Sequence, residues 1–154
     1  MISFDTNVLV YATVSGSNVK AVRARDLIGR AMRGGESILL LQTLAEFANV
    51  AIRKAGIAVQ DVGVMIDAWR AVLPIQAADD GDLTAALEAV RAHQLAFWDA
   101  MLWASAQRAG VECLLTEDLR DGFVLNRVRF VNPFKRANDR LIDELLPPSK
   151  AAGR

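Results

Sequence analysis

The first twelve residues constrain the fold of this chain more than any other segment. A mostly apolar run at residues 2–4 leads directly into Asp5, Thr6 and Asn7, and residues 8–12 are apolar again. Unpaired polar groups are costly to bury, and an unpaired charge costs more. A short parallel strand would bring Asp5 to the C-terminal edge of a sheet, where open α/β sheets bind ligands. An aspartate at that edge, beside two hydrogen-bonding neighbours, is well placed to hold a hard cation such as Mg²⁺.

Composition predicts one ordered domain with no general attraction for nucleic acid or membranes. The chain has 154 residues, of which 53% are hydrophobic, and 18 basic residues balance 18 acidic ones. With no net field, binding to a polyanion must rest on a local patch of charge. The single cysteine, Cys113, excludes an internal disulfide and favours a reducing, cytoplasmic location. Residues 1–12 do not resemble a signal peptide, and no window is apolar for long enough to cross a membrane.

Apolar periodicity predicts strands that alternate with helices. After a first strand that begins at Ile2, the predicted strands cover residues 37–41, 73–75, 111–115 and 127–131, the last as an edge strand. The predicted helices cover residues 19–32, 42–53, 59–72, 83–93 and 95–106, with one amphipathic helix possible over residues 134–146. This divides the chain into a domain at residues 1–134 and a C-terminal extension at residues 135–154, of which residues 149–154 are expected to be disordered.

Three further acidic residues occupy positions comparable to that of Asp5. Glu46 lies near the start of the helix after the second strand, although a glutamate there is also common on ordinary helix surfaces. Asp99 is the lone charge near the start of an apolar helix, where it either caps the helix or faces a metal, and Trp98 beside it is expected in the core. Asp118 follows the run at residues 111–115, which repeats the pattern of the first strand.

Four carboxylates at these positions would meet at one edge of a right-handed βαβ sheet. They would repel each other strongly unless divalent cations neutralised them. Such a cluster, without a histidine or cysteine nucleophile, is typical of metal-assisted phosphodiester hydrolysis.

Two other groups of residues suggest metal sites but favour a structural interpretation. The segment at residues 79–82, Asp-Asp-Gly-Asp, lacks the spacing and the final glutamate of a calcium loop, so a helix N-terminus is the better interpretation. His93 is the only histidine, and without a second histidine or a cysteine cluster it does not predict a zinc site.

The helix at residues 19–32 carries many basic side chains, namely Lys20, Arg23, Arg25, Arg30 and Arg33. They form either a solvated face or a rim that contacts phosphates. Arg23 and Arg30 are seven residues apart and share a face, from which Arg25 is turned away. Arg23 and Arg30 are therefore the residues predicted to bind the phosphates of a nucleic acid.

Taken together, these segments resemble the PIN-domain proteins, in particular the VapC-type toxins of prokaryotic toxin–antitoxin pairs. The matching segments are residues 4–11 (FDTNVLVY), 44–47 (LAEF), 97–102 (FWDAML), 114–119 (LLTEDL) and 132–134 (NPF). The resemblance implies a single-domain α/β three-layer sandwich with a central, mainly parallel sheet flanked by helices. It implies Mg²⁺- or Mn²⁺-dependent endoribonuclease activity on structured RNA, a homodimer, and a cognate antitoxin whose peptide arm covers the site.

The resemblance also assigns roles to individual residues. Asp5, Glu46 and Asp99 match the three main acidic ligands, and Asp118 matches the fourth. The supporting residues are Thr6, Asn7, Thr116 and Glu117. Among these, Thr116 supplies a hydroxyl and Asn7 orients a ligand or a metal-bound water, whereas Glu117 falls where the family varies and could simply face solvent.

Other classes of protein fit the sequence less well. A phosphatase of the haloacid dehalogenase type has a second aspartate two residues after the first, where this chain has Asn7. A response-regulator receiver has an acidic pair at its first loop and a late lysine, and neither is clearly present. A catalytically weak or inactive PIN-type module that only binds nucleic acid is the remaining alternative.

Overall fold

A mainly parallel sheet forms the centre of the molecule. The computed structural model describes residues 1–13, 16–34 and 36–148. Its strands are β1 (Ile2–Phe4), β2 (Leu39–Leu40), β3 (Ile75–Gln76), β4 (Cys113–Leu115), β5 (Val124–Leu125) and β6 (Val128–Val131). Its helices are α1 (Thr6–Thr13), α2 (Val19–Gly34), α3 (Leu41–Arg53), α4 (Val59–Arg70), α5 (Asp80–His93), α6 (Phe97–Arg108) and α7 (Asp139–Leu145), with a 3₁₀ turn at Arg136–Asn138.

The strand order places the ends of β1 and β4 side by side. Four strands pair in the order β1-β4-β6-β5, parallel except for the antiparallel pair β5–β6. A parallel β2–β3 pair extends this sheet beyond β1, because the backbone of Ile38 donates to Ile2 over 3.0 Å. Phe4 pairs with Leu115, so the chain leaves the sheet at Asp5 and Thr116 at the same level.

Helices cover both faces of the sheet, and each face has its own apolar core. Successive strand residues point to opposite faces. Accordingly, Phe4 and Leu115 pack with α1, α2, α3 and α4, whereas Leu114 and Phe130 pack with α5 and α6. The three-layer α/β fold predicted from the sequence is confirmed.

Two features of the fold differ from the prediction. Residues 6–13 form the helix α1, which the sequence did not predict. The strand β6 is not at the edge, because β5 pairs with its outer side through a turn at Asn126, whose φ is 52°. Asparagine tolerates this left-handed conformation better than most residues.

The segment after Phe134 packs against the rest of the molecule. The single helix predicted at residues 134–146 is a 3₁₀ turn followed by α7, which buries Ile142 in the same core as β1. The predicted disordered tail at residues 149–154 lies outside the described residues. No helix in the described ranges is long and apolar enough to cross a membrane.

Candidate active site

Asp5 lies at the C-terminal end of β1 and is only 7% exposed. The hydroxyl of Thr116, which leaves β4 beside it, donates to Asp5 Oδ2 over 2.6 Å. The backbone N–H of Thr6 donates to Oδ1 over 2.6 Å. Burial is the largest influence and raises the pKa of Asp5 to about 6, against the effect of these two hydrogen bonds. The parallel register of β1 and β4 therefore fixes a buried carboxylate at the sheet edge.

Glu46 reaches the same edge from α3. The hydroxyl of Thr43 in the first turn of α3 donates to the carbonyl of Phe4 over 3.1 Å, which fastens this helix to the end of β1. One turn later, Glu46 Oε2 accepts from the hydroxyl of Thr6 over 2.9 Å, and its Oε1 accepts from Gln42 Nε2 over 2.8 Å. Thr6 therefore connects Asp5 and Glu46 directly.

Asp118 is connected to Asp5 through the side chain of Asn7. The amide Nδ2 of Asn7 donates to Asp118 Oδ2 over 3.0 Å and lies 3.5 Å from Asp5 Oδ2. The backbone N–H of Asp118 donates to the hydroxyl of Thr116 over 3.2 Å. The unpredicted helix α1 makes this connection possible, because it turns Asn7 back over the strand ends.

Asp99 faces the other acids and does not cap its helix. The N-cap of α6 is Ala96, which places Asp99 at the third position of the helix without a cap hydrogen bond. Burial, and then the charges of Asp118 and Glu46, raise the pKa of Asp99. Its surroundings therefore favour the metal-facing interpretation over the capping one. We refer to Asp5, Glu46, Asp99 and Asp118 as the acid site.

The acid site has no basic partner in the part of the chain that the structure describes. Among the described residues, no ion pair joins any of its four carboxylates to a lysine or arginine. A buried carboxylate without a partner either takes up a proton or requires a cation. The pKa values of Asp5 and Asp99 are raised accordingly.

The chemistry of these donors fits a hard divalent cation, which prefers carboxylate and amide oxygens. In addition, Asn7 Oδ1 is buried and has no hydrogen-bond partner in the part of the chain that the structure describes. Within that part, no three acidic, histidine or cysteine side chains are already arranged as a metal centre. This is expected without a bound cation, because repulsion between the carboxylates keeps them apart until a cation neutralises their charge.

The family of the chain follows from a comparison of its sequence with protein-family models. The model of the PIN domain matches residues 2–131. The chain belongs to the PIN domain family. The family inferred from the sequence motifs is therefore confirmed, and the matched segment includes all four residues of the acid site.

Solved structures of other proteins share this PIN fold. VapC20 of Mycobacterium tuberculosis, described as a sarcin-ricin loop cleaving toxin, is 18% identical with a TM-score of 0.62, over 77% of this chain and 92% of that one. A toxin–antitoxin complex from Klebsiella pneumoniae is 20% identical with a TM-score of 0.64, over 86% and 98%. The DNA-bound VapBC from Salmonella typhimurium is 15% identical with a TM-score of 0.62, over 86% and 97%. A search of curated proteins gave no match.

Glu117 does not face solvent. Its Oε2 pairs with Lys20 Nζ over 2.6 Å, and its Oε1 accepts from the hydroxyl of Tyr11 over 2.7 Å. Lys20 Nζ also lies 5.1 Å from the centre of the Tyr11 ring. The hydrogen bond to Glu117 is the main cause that raises the pKa of Tyr11. Glu117 therefore ties α1 and α2 to the loop after β4, next to the acid site of the PIN domain.

The structure places the two predicted RNA-binding arginines in ion pairs with the C-terminal segment. Arg30 is bound to Asp26 and Asp143, and its side chain is only 9% exposed. Because its charge is paired and its side chain is largely buried, Arg30 is poorly placed to contact a phosphate. Arg23 pairs with Asp139 over 2.9 Å but also lines an open pocket with Lys20, so its contact with phosphate stays a prediction.

Sequence reasoning missed one residue of the site and misplaced another. Gln42 binds Glu46 and also donates to the carbonyl of Trp98 over 3.0 Å, which links α3 to the start of α6. Its spacing of four residues before Glu46 was a usable signal, since such pairs meet on a helix surface. Trp98 was expected in the core, but it is 63% exposed.

Proposed function

We propose that this PIN domain is a divalent-metal-dependent endoribonuclease that acts as the toxin of a toxin–antitoxin pair. The observation that carries the proposal is the acid site, where four carboxylates lie at the C-terminal edge of the sheet and, within the described residues, none of them pairs with a basic side chain. The family, and the toxins among the solved structures of the same fold, support RNA as the substrate.

In this proposal Asp5, Glu46, Asp99 and Asp118 hold Mg²⁺ or Mn²⁺, with the amide of Asn7 between them. The cation, when bound, polarises the scissile phosphate and makes an attacking water more acidic. The residues around the acids keep them in place. Thr116 and the backbone of Thr6 fix Asp5, and the hydroxyl of Thr6 and the amide of Gln42 hold Glu46 from two sides.

The partners of the proposed enzyme follow from the same reasoning. The similar structure from Klebsiella pneumoniae is a toxin–antitoxin complex, and that from Salmonella typhimurium is a DNA-bound VapBC. We infer that this chain likewise binds a cognate antitoxin protein, forms a homodimer, and works in the cytoplasm, where its RNA substrate is found.

Incubation of the purified chain with total RNA tests the proposal. We expect endonucleolytic cleavage with Mg²⁺ or Mn²⁺, no cleavage with a chelator, and no cleavage by the Asp5→Asn variant. Induced expression in bacteria should stop growth with the unsubstituted chain but not with Asp5→Asn. Binding of RNA without cleavage under any metal condition would contradict the enzyme and indicate an inactive binding module instead.

A further inference from the structure

An apolar groove of about 760 Å³ opens beside the acid site, between α3 and α6. This volume is in the range of about 300–1,000 Å³ that is typical of pockets for small organic ligands. The apolar part of its lining includes Ala45, Trp98 and Met101, and the polar part consists of Gln42, Glu46 and Asn49. Glu46 also belongs to the acid site, so the two sites are continuous. We refer to this feature as the Trp98 groove.

The exposure of Trp98 sets it apart from the other tryptophans of the chain. Trp69 and Trp103 are 5% and 4% exposed, whereas Trp98 is 63% exposed. Its ring packs edge-to-face against Phe97, with 5.1 Å between the ring centres, and its carbonyl oxygen accepts from Gln42 over 3.0 Å. A large flat apolar surface is therefore held in a defined orientation next to Asp99 and is left uncovered.

We propose that the Trp98 groove is a nucleobase subsite, in which one base of a single-stranded RNA segment stacks on the indole of Trp98. This inference rests on the proposed function. A phosphodiester bond at the acid site must carry a nucleoside on each side, and Glu46 belongs both to the acid site and to the lining of the groove. A base in the groove therefore belongs to a nucleotide next to the bond that is cleaved.

The chemistry of the groove fits a base better than a phosphate. Among its lining residues, all within the described part of the chain, the one charged side chain is Glu46, which repels phosphates. A nucleobase combines an apolar face with a polar edge, which matches an indole wall beside the amides of Gln42 and Asn49. Unpaired bases in RNA are commonly bound by stacking on aromatic side chains.

Binding of short RNAs by a variant that cannot cleave them tests the subsite. We suggest the full chain with Asp5→Asn, in Mn²⁺, and three labelled probes: hexauridylate, hexaadenylate and a hexamer with abasic residues throughout. Trp98→Ala and Trp98→Phe are added to this background, with Leu87→Ala, an exposed apolar residue on α5 outside the groove, as the matched control. Fluorescence anisotropy gives the affinities, and quenching of tryptophan emission reports stacking on Trp98.

Stacking on an aromatic side chain contributes about 1–3 kcal/mol per base. We therefore expect Trp98→Ala to weaken binding of the two base-containing hexamers by about 5- to 150-fold. Trp98→Phe should keep most of the affinity, Leu87→Ala all of it, and the abasic hexamer should bind equally to every variant.

Four results would overturn the subsite. The first is that base-containing hexamers do not bind, and the second is that Trp98→Ala does not change their affinity. The third is that Trp98→Ala weakens binding of the abasic probe equally. The last is that Trp98→Ala abolishes binding of a protein partner while RNA binding is unchanged. The last result would make the groove a protein-docking surface. A failure of the proposed function looks different, because the chain without Asp5→Asn would then cleave no RNA while stacking on Trp98 persisted.

Discussion

Two groups of acidic residues in this molecule look alike in sequence but are neutralised differently. In the acid site, Asp5 is buried and pairs with no cationic side chain of residues 1–13, 16–34 and 36–148, and burial raises its pKa to about 6. At the start of α5, Asp82 is only 2% exposed, yet it accepts hydrogen bonds from Arg108 Nε over 2.9 Å and from the hydroxyl of Ser105 over 2.8 Å. Burial alone would raise the pKa of Asp82, but these bonds and that from the Asp79 backbone lower it below its usual value.

The difference separates an acid that stabilises the fold from an acid that is available to a ligand. Asp82 and Asp79 form a reciprocal capping box at the N-terminus of α5, and Arg108 neutralises their charge within the fold. In the acid site the neighbouring groups are hydroxyls and amides, which orient carboxylates without cancelling their charge. Within the described residues no basic side chain supplies the counter-charge, which a metal ion would supply in the proposed function.

The largest expected difference between the two groups is in catalysis. Loss of a residue that only supports a metal ligand typically costs about 10- to 100-fold. Asp99→Asn, which removes a proposed ligand, should therefore lower the rate of RNA cleavage by more than about 100-fold. Asp80→Asn makes the same chemical change in the first turn of α5 and should leave the rate unchanged. Initial rates at saturating Mn²⁺ decide the question, and an equal effect of both variants would end the distinction between the groups.

The stability of the metal-free protein should change in opposite directions. Removal of the unpaired charge in Asp5→Asn should raise the free energy of unfolding at pH 7. The rise in pKa from 3.8 to about 6 sets an upper limit of about 3 kcal/mol. Asp82→Asn should lower the free energy of unfolding by about 1–3 kcal/mol, because it weakens buried hydrogen bonds to a charged group. Urea denaturation in the presence of a chelator measures both changes.

The pH dependence of the free energy of unfolding should also differ in sign between Asp5 and Asp82. A group whose pKa is raised on folding stabilises the protein below its unfolded pKa, and this contribution is lost as the pH rises through the folded value. For Asp5 the loss falls between about pH 4 and pH 6. Asp5→Asn should therefore match the unsubstituted chain near pH 4 and exceed its stability above about pH 6. The contribution of Asp82 has the opposite sign, since it is present above pH 3.8 and is lost as the pH falls through its lowered pKa. If the stability difference between Asp5→Asn and the unsubstituted chain did not change between about pH 4 and pH 6, titration of Asp5 would not be the cause of that difference.

Much of the fold and the positions of the four acids could be predicted from local sequence. Buried parallel strands are short continuous apolar runs, so residues 111–115 and the oxygen-bearing residues that follow them were visible without a structure. The N-terminus of α5 was also recognisable in the segment at residues 79–82, although the helix begins at Asp80 and not at residue 83 as predicted.

The features that sequence did not reveal depend on contacts with distant residues. Val8 and Val10 are β-branched and favour a strand, but the packing of α1 against α2 and α3 makes this segment helical. Arg30 looked like a surface cation because one of its two partners, Asp143, is 113 residues away along the chain. The exposure of Trp98 was also not predictable, because an apolar side chain is expected in the core and the sequence does not show which elements pack over it.

The smallest predicted effects concern one buried hydroxyl beside each group of acids, which donates a hydrogen bond to an aspartate. Thr116 donates to Asp5 over 2.6 Å, and Ser105 donates to Asp82 over 2.8 Å, and both hydroxyls are buried. Thr116→Val removes a bond that orients a proposed metal ligand, so we expect about a 10-fold loss of cleavage rate, with a higher metal concentration needed for half-maximal activity. Ser105→Ala should leave the rate unchanged and lower the free energy of unfolding by about 1 kcal/mol.

Thr116→Ser is the matched control for the first variant, since it keeps the hydroxyl and should restore most of the lost rate. If Ser105→Ala lowered the cleavage rate as much as Thr116→Val at a temperature where both variants are folded, the two hydroxyls would not differ in role. A rate loss that excess Mn²⁺ reverses for Thr116→Val alone would instead locate the effect at the carboxylate of Asp5, because only that hydroxyl orients a proposed ligand of the metal.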